Sequence, residues 1–116
     1  MTAEQAVNED LKIQLGVGAT LSVGSDAYAY YVSEILPNGV IGMYQPQAHF
    51  DDKHPWEGGD QVVPPFDPSI KSEMFIKRRY GTWWVVEKCG RPIHRFTSKW
   101  ERLRFGQAVS YRDPSF

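Results

Sequence analysis

E-M-F-I-K-R-R (73–79), Y-G (80–81), T-W-W-V-V-E-K (82–88), C-G (89–90) and R-P-I-H-R-F (91–96) form three short runs divided by two glycine-containing turns. That spacing predicts a β-meander. Met74 and Ile76 alternate with Glu73, Phe75 and Lys77. Trp83 and Val85 share one face of the second run, while Trp84, Val86 and Lys88 share the other. β-branched and aromatic side chains of this kind fit a pleated surface. Strand parity puts the two tryptophans on opposite faces, one as a core anchor and the other against a loop or on the surface.

The same reading extends towards the start of the chain. Val17, Ala19, Leu21 and Val23 are an apolar period-two set, so a strand is expected over 19–23. The G-V-G-A-T segment that leads into it lacks the spacing of a dinucleotide fingerprint. Gly24-Ser25-Asp26 is a turn. Residues 27–36 are the longest strand candidate, and neither of its faces is purely apolar, which suits a long curved strand. Pro37-Asn38-Gly39 is hairpin chemistry. The return strand runs over 40–45, where Gly42 is expected to permit barrel curvature and Pro46 to end the ladder.

Residues 47–72 read as a long proline-rich loop, with Pro55, Pro64, Pro65, Pro68 and Gly58-Gly59. A loop of that length in a compact domain usually binds or covers something. After the meander, Thr97 or Ser98 is expected to cap one helical turn with Glu101 in it. Leu103 and Phe105 then point inward from a last strand, and Gly106 turns the chain. The expected fold is all-β: a small antiparallel SH3-like barrel with a long proline-rich loop and one short helical turn, with a split β-sandwich as the alternative. Residues 1–15 are expected to be a partly ordered leading segment and 16–116 a single domain.

Composition narrows the function classes. The chain has 116 residues and a single cysteine, Cys89, so no internal disulfide is possible and a reducing, cytoplasmic setting in a host cell is expected. The opening M-T-A-E-Q-A-V-N-E-D has neither the basic nor the apolar region of a secretory signal, and no run is long enough to span a membrane. The net charge of −1 hides an asymmetry: residues 1–69 carry a net −8 and residues 70–116 a net +7. Either the two halves neutralise each other, or the fold displays a basic face that steers an anionic partner.

That basic set is the leading binding candidate: Lys77, Arg78, Arg79, Lys88, Arg91, Arg95 and Arg102, interleaved with Tyr80, Trp84 and Trp100. Arginines suit phosphates and rings suit bases, yet the same composition marks a protein–protein hot spot. His49, His54 and Trp56 are candidate contacts from the loop. His49, Asp51, Asp52 and His54, joined by Glu57 or Asp60, have ligand chemistry, but they sit in a proline-flanked loop without a cysteine pair or a supporting helix. No cofactor is expected and no metal site is assigned. Cys89 lies between Lys88 and Arg91, and a pairing with His94 is a minor alternative.

G-V-G-A-T-L-S-V-G-S-D-A-Y-A-Y (16–30) resembles the opening of a group of small phage and prophage-associated bacterial proteins. In that group a G-x-G-A-T strand runs into a Ser-Asp turn and a long strand. The group's later motifs correspond here to Phe75 through Gly81 to Trp83, Leu103 through Gly106, and Y-R-D-P-S-F (111–116). Where the group tends to place a glycine before the late leucine, this chain has Trp100-Glu101-Arg102. The motifs are architectural and bring no catalytic residue with them. The resemblance implies phage-related ancestry and not an activity. The leading expectation, from the aromatic and arginine residues and the 47–72 loop, is a phage-type, non-enzymatic interaction module that binds a host or phage protein, as a monomer or homodimer away from membranes. A nucleic-acid-binding small β-barrel is the alternative, and a metal-assisted hydrolase built on the 47–72 loop is the third.

Overall fold

The computed structural model describes residues 13–47, 49–50, 59–97 and 101–112. Ten strands follow one another: β1 (Gly18–Val23), β2 (Asp26–Ile35), β3 (Ile41–Tyr44), β4 (His49–Phe50), β5 (Gly59–Val62), β6 (Met74–Arg79), β7 (Thr82–Val86), β8 (Pro92–Arg95), β9 (Glu101–Phe105) and β10 (Tyr111–Arg112). Every ladder is antiparallel.

β2 organises the sheet. Tyr31 faces Gly18 of β1 and Tyr44 of β3. Ala27 faces Ser22 of β1 and Tyr111 of β10. A strand has two hydrogen-bonding edges, so β1 takes one edge of β2 while β3 and β10 divide the other. The sheet therefore branches. One arm continues β3-β6-β7-β8, another runs β10-β5-β4, and β9 lies outside β1.

This arrangement corrects the expectation of an SH3-like barrel. The sheet is open: among the described strands β8 pairs with β7 alone and β9 with β1 alone. The sequence signals fix hairpins, but closure depends on which distant edges meet, and here the edge of β2 is filled by β10. The expected helical turn is also absent, because Glu101 opens strand β9 and no helix occurs among the described residues. The Thr97 hydroxyl, expected to cap that turn, instead accepts the Trp83 N–H at 3.2 Å.

The core lies on one face of this sheet. Ala19, Val32, Ile41, Met43, Ile76 and Trp83 are buried together with Ile13, and Val17, Tyr30, Met74, Phe96, Leu103 and Phe105 pack around them. Burying one such aliphatic side chain stabilises the fold by about 1.5–3 kcal/mol. Trp83 of β7 meets Phe105 of β9 at 5.5 Å between ring centroids, and Tyr30 meets Phe96 edge-on at 5.9 Å. Strands from far-apart positions thus touch across this face, so it is the inner, concave one.

A bulge between Val32 and Glu34 breaks the alternation of β2. It puts Glu34 on the outer face, opposite Gly42. There the Ser72 hydroxyl donates to Glu34 Oε1 at 2.9 Å and shares a 2.7 Å hydrogen bond with Ser33. A Cβ on Gly42 would overlap Ser72 Oγ. Gly42 therefore makes room for a crossing segment and is not the expected barrel hinge.

Two such segments cover part of the outer face. Residues 63–72 lie over Tyr31 and Tyr44. Phe66 packs 5.8 Å from the Tyr31 ring and 6.1 Å from Tyr44, Tyr31 donates its hydroxyl to Pro64 O at 2.7 Å, and the Asp67 N–H donates to the Tyr44 hydroxyl at 2.8 Å. Residues 107–110 cross β1, where Thr20 Oγ1 donates to Gln107 O at 2.6 Å and accepts the Val109 N–H at 3.0 Å. Burial, and then the nearby Tyr44, push the Tyr31 hydroxyl's pKa up. It stays a neutral donor at physiological pH.

Candidate functional site

The part of the outer face that no described segment crosses belongs to β6, β7 and β8. β3 pairs with β6 at Met74, Phe75 and Ile76 only. β8 reaches Trp84, and the chain beyond it bonds through the Phe96 and Thr97 N–H groups to Trp83 O. From Lys77 onward, then, no further described strand flanks the outer edge of β6. The rungs Lys77–Trp84, Arg78–Trp83 and Arg79–Thr82 make a tapering ribbon: β8 and the chain after it still flank Trp84 and Trp83, and only the Arg79–Thr82 rung and the turn beyond it are two strands wide among the described residues.

The ribbon ends in a two-residue turn, Tyr80-Gly81, with φ of +52° and +75°. Two positive φ angles match the right-handed twist of the strands they join. Glycine adopts that conformation freely, whereas tyrosine meets a steric penalty of about 1–2 kcal/mol. Tyr80 is the one non-glycine residue with positive φ among the described residues. It is also 95% exposed, so no contact within the described chain offsets the penalty.

Alternation along the strands sorts the cations. Lys77 and Arg79 point to the outer face with Thr82 and Trp84. Arg78 stands on the inner side, across from buried Trp83, yet is exposed. Cations therefore occupy both faces of one narrow ribbon. Lys77, Arg78, Arg79, Arg91 and Arg102 make no ion pair with a described residue. The acids of this hairpin are at its opposite end: Glu73 accepts the Gln45 N–H at 3.2 Å, and Glu87 accepts the Cys89 thiol at 3.7 Å. Positive potential rises from the base of the hairpin to its tip.

The remaining candidates fall into separate places. Arg95 joins the outer row, with its guanidinium carbon 5.8 Å from the centre of the half-buried Trp84 ring, a cation–π distance. Lys88 belongs elsewhere: it pairs with Glu34 at 3.6 Å and lies 5.8 Å from the Phe75 ring centre. Arg91 is exposed in the β7–β8 turn. Arg102 is exposed on β9, opposite Ser22 of β1 and several strands away from the row. His49 enters β4 through its backbone, pairing with Val62. His54, Trp56 and Trp100 lie outside the described residues, as do Asp51, Asp52 and Glu57.

Among the described residues no group of three His, Cys, Asp or Glu could hold a metal ion. His94 Nδ1 engages the neighbouring Arg95 carbonyl at 2.8 Å, and Cys89 turns to Glu87, so the structure does not bring those two together. The spacing of residues gave no sign of the Tyr31–Tyr44–Phe66 cluster or of the groove beside it lined by Pro46, Pro64, Pro65 and Ile70. Tyr31, next to Tyr30 and so on the opposite face of β2, was its one visible trace. Comparison of the chain with protein-family models, with curated proteins and with solved structures finds no match.

Proposed function

We propose that this chain is a non-enzymatic interaction module whose partner is the phosphate backbone of a nucleic acid. The supporting observation is the distribution over both faces of the β6–β7 ribbon of cations that make no ion pair with a described residue. Phosphate contacts are made by Lys and Arg side chains free to leave water, and each contact releases counterions. A net charge of −1 does not oppose this, because the relevant field is that of the ribbon, and its acids sit at the far end.

A second reading, binding to a host or phage protein, is favoured by Trp84. Its indole is half-buried and capped by Arg95, so it is not an open platform for base stacking. Trp and Arg packed together are the composition of a protein hot spot. The phage affiliation behind that partner class rests on the quoted motifs alone.

Fluorescence polarisation with labelled DNA and RNA oligonucleotides at low salt tests the first reading. Binding is expected to weaken steeply as salt rises. Changing Arg78 and Arg79 together to Ala is expected to reduce the logarithmic salt slope by about 2, with stability altered by less than about 0.5 kcal/mol. A flat signal with both DNA and RNA would reject it. Pull-down from phage-infected cells with wild type and Trp84→Ala would then decide on the protein partner.

A further inference from the structure

We infer that the β6–β7 ribbon enters the major groove of duplex DNA tip first, with Tyr80 at the base edges and Arg78 and Arg79 on the two phosphate walls. This rests on the nucleic-acid reading and adds the form of nucleic acid, the groove and the residue at its floor.

Three observations carry it. The first is shape. The ribbon narrows to two strands at the Arg79–Thr82 rung, and at about 3.4 Å per residue Arg78 to Tyr80 spans roughly 7 Å, to which the exposed Tyr80 side chain adds its own reach. The major groove of B-form DNA is about 12 Å wide and 8.5 Å deep, and it admits a two-stranded ribbon. The second is charge placement. A partner that meets the sheet face-on would use Lys77, Arg79 and Arg95 and leave Arg78 idle on the other side. A groove has an anionic wall on each side, so it uses both faces. The third is Tyr80. A fully exposed turn position with positive φ favours Asn, Asp or Gly on conformational grounds alone. The tyrosine there is strained and touches nothing in the described chain. Backbone strain of this kind gathers at functional positions. A phenol at the tip offers a ring to a thymine methyl and a hydroxyl to a base-edge acceptor.

The geometry also sets an order of ligands. A-form RNA duplexes have a deep, narrow major groove that side chains cannot read. Single strands have no groove. Duplex DNA should therefore bind more tightly than either at equal length and salt.

The test uses the full chain and three labelled probes of equal length: a DNA duplex, its single strand, and the matching RNA duplex. Wild type is compared with Tyr80→Asn and Tyr80→Phe, and thermal midpoints are recorded alongside. The expected result is duplex DNA first, a loss of roughly tenfold in duplex affinity for Tyr80→Asn, and a midpoint raised by about 4–8 °C as the strain is relieved. Tyr80→Phe should retain most of the affinity. The rise in midpoint shows that the weaker binder is still folded. Equal binding of duplex and single strand, or a Tyr80→Asn variant that binds duplex DNA like wild type, overturns the groove mode and leaves the nucleic-acid reading standing. Failure of wild type to bind any of the three probes overturns both.

Discussion

The outer face of the sheet has two halves built on opposite plans. Over β1, β2 and β3 it is roofed by residues 63–72 and 107–110, and beneath the roof lie Tyr31, Tyr44, Thr20 and Gly18, with one carboxylate, Glu34, held by the Ser72 hydroxyl. Over β6, β7 and β8 no described segment crosses it, and the side chains are Lys77, Arg79, Trp84 and Arg95. Covered aromatic and small residues hold the fold together. Exposed cations that make no ion pair with a described residue add little to stability. One face of one sheet thus separates the residues that hold the fold together from those to which the proposal assigns contact with a partner.

The difference is broken most severely at Tyr44. Its ring is 1% exposed, and it holds both Phe66 and the Asp67 N–H. Tyr44→Ala should cost about 3–5 kcal/mol, in the range of large aromatic-to-alanine changes in a core, read as a fall in the urea midpoint. A loss below about 1 kcal/mol would mean that the roof is incidental.

Gly18→Ala comes next. A Cβ there would overlap the Ala108 backbone nitrogen and come within 2.9 Å of the Ala108 Cβ. Backbone cannot swing aside as a side-chain tip can, so residues 107–110 must lift. The expected loss is about 1–3 kcal/mol, with faster amide exchange at Val109, whose N–H is bonded to Thr20.

Acid gives the smallest effect. Asp67 accepts the Ser69 hydroxyl at 2.6 Å and the Ser69 N–H at 2.9 Å. Those bonds hold its pKa below the usual carboxylate value, the hydroxyl bond most strongly. A depressed folded-state pKa stabilises above the unfolded-state value and loses that contribution as pH falls through the folded one. The 67–70 turn should therefore loosen below about pH 4. Thermal melts from pH 7 to pH 3 should show slightly less acid loss for Asp67→Asn than for wild type. Equal slopes would remove Asp67 from the account.

What could be read in the sequence was what neighbours in the chain decide. Tyr80-Gly81 and Pro37-Asn38-Gly39 announce hairpins because turn conformation depends on two or three residues. Apolar alternation placed Ala19, Leu21, Met74 and Ile76 on one face. The failures were at positions settled from far away. Thr97 reads locally as a helix cap, but the Trp83 N–H claims its oxygen. Gly42 reads as a bend, but Ser72 needs the space above it. Barrel closure read well from strand count and failed because β10 occupies the edge of β2. In the candidate site the cations were visible as a list of residues. Their division between Lys88, tied to Glu34, and the unpaired ribbon group was not, because ion pairing between distant strands leaves no mark in spacing.

The position of β10 also has a consequence for how the molecule is made. During synthesis β1 and β2 leave the ribosome well before β10, so half of one β2 edge stays vacant until Tyr111 arrives, and Thr20 waits for Val109, 89 residues downstream. Contacts of such long reach slow folding, and a bare strand edge invites pairing with neighbouring nascent chains. A nascent copy of this chain is most vulnerable to aggregation just before β10 emerges.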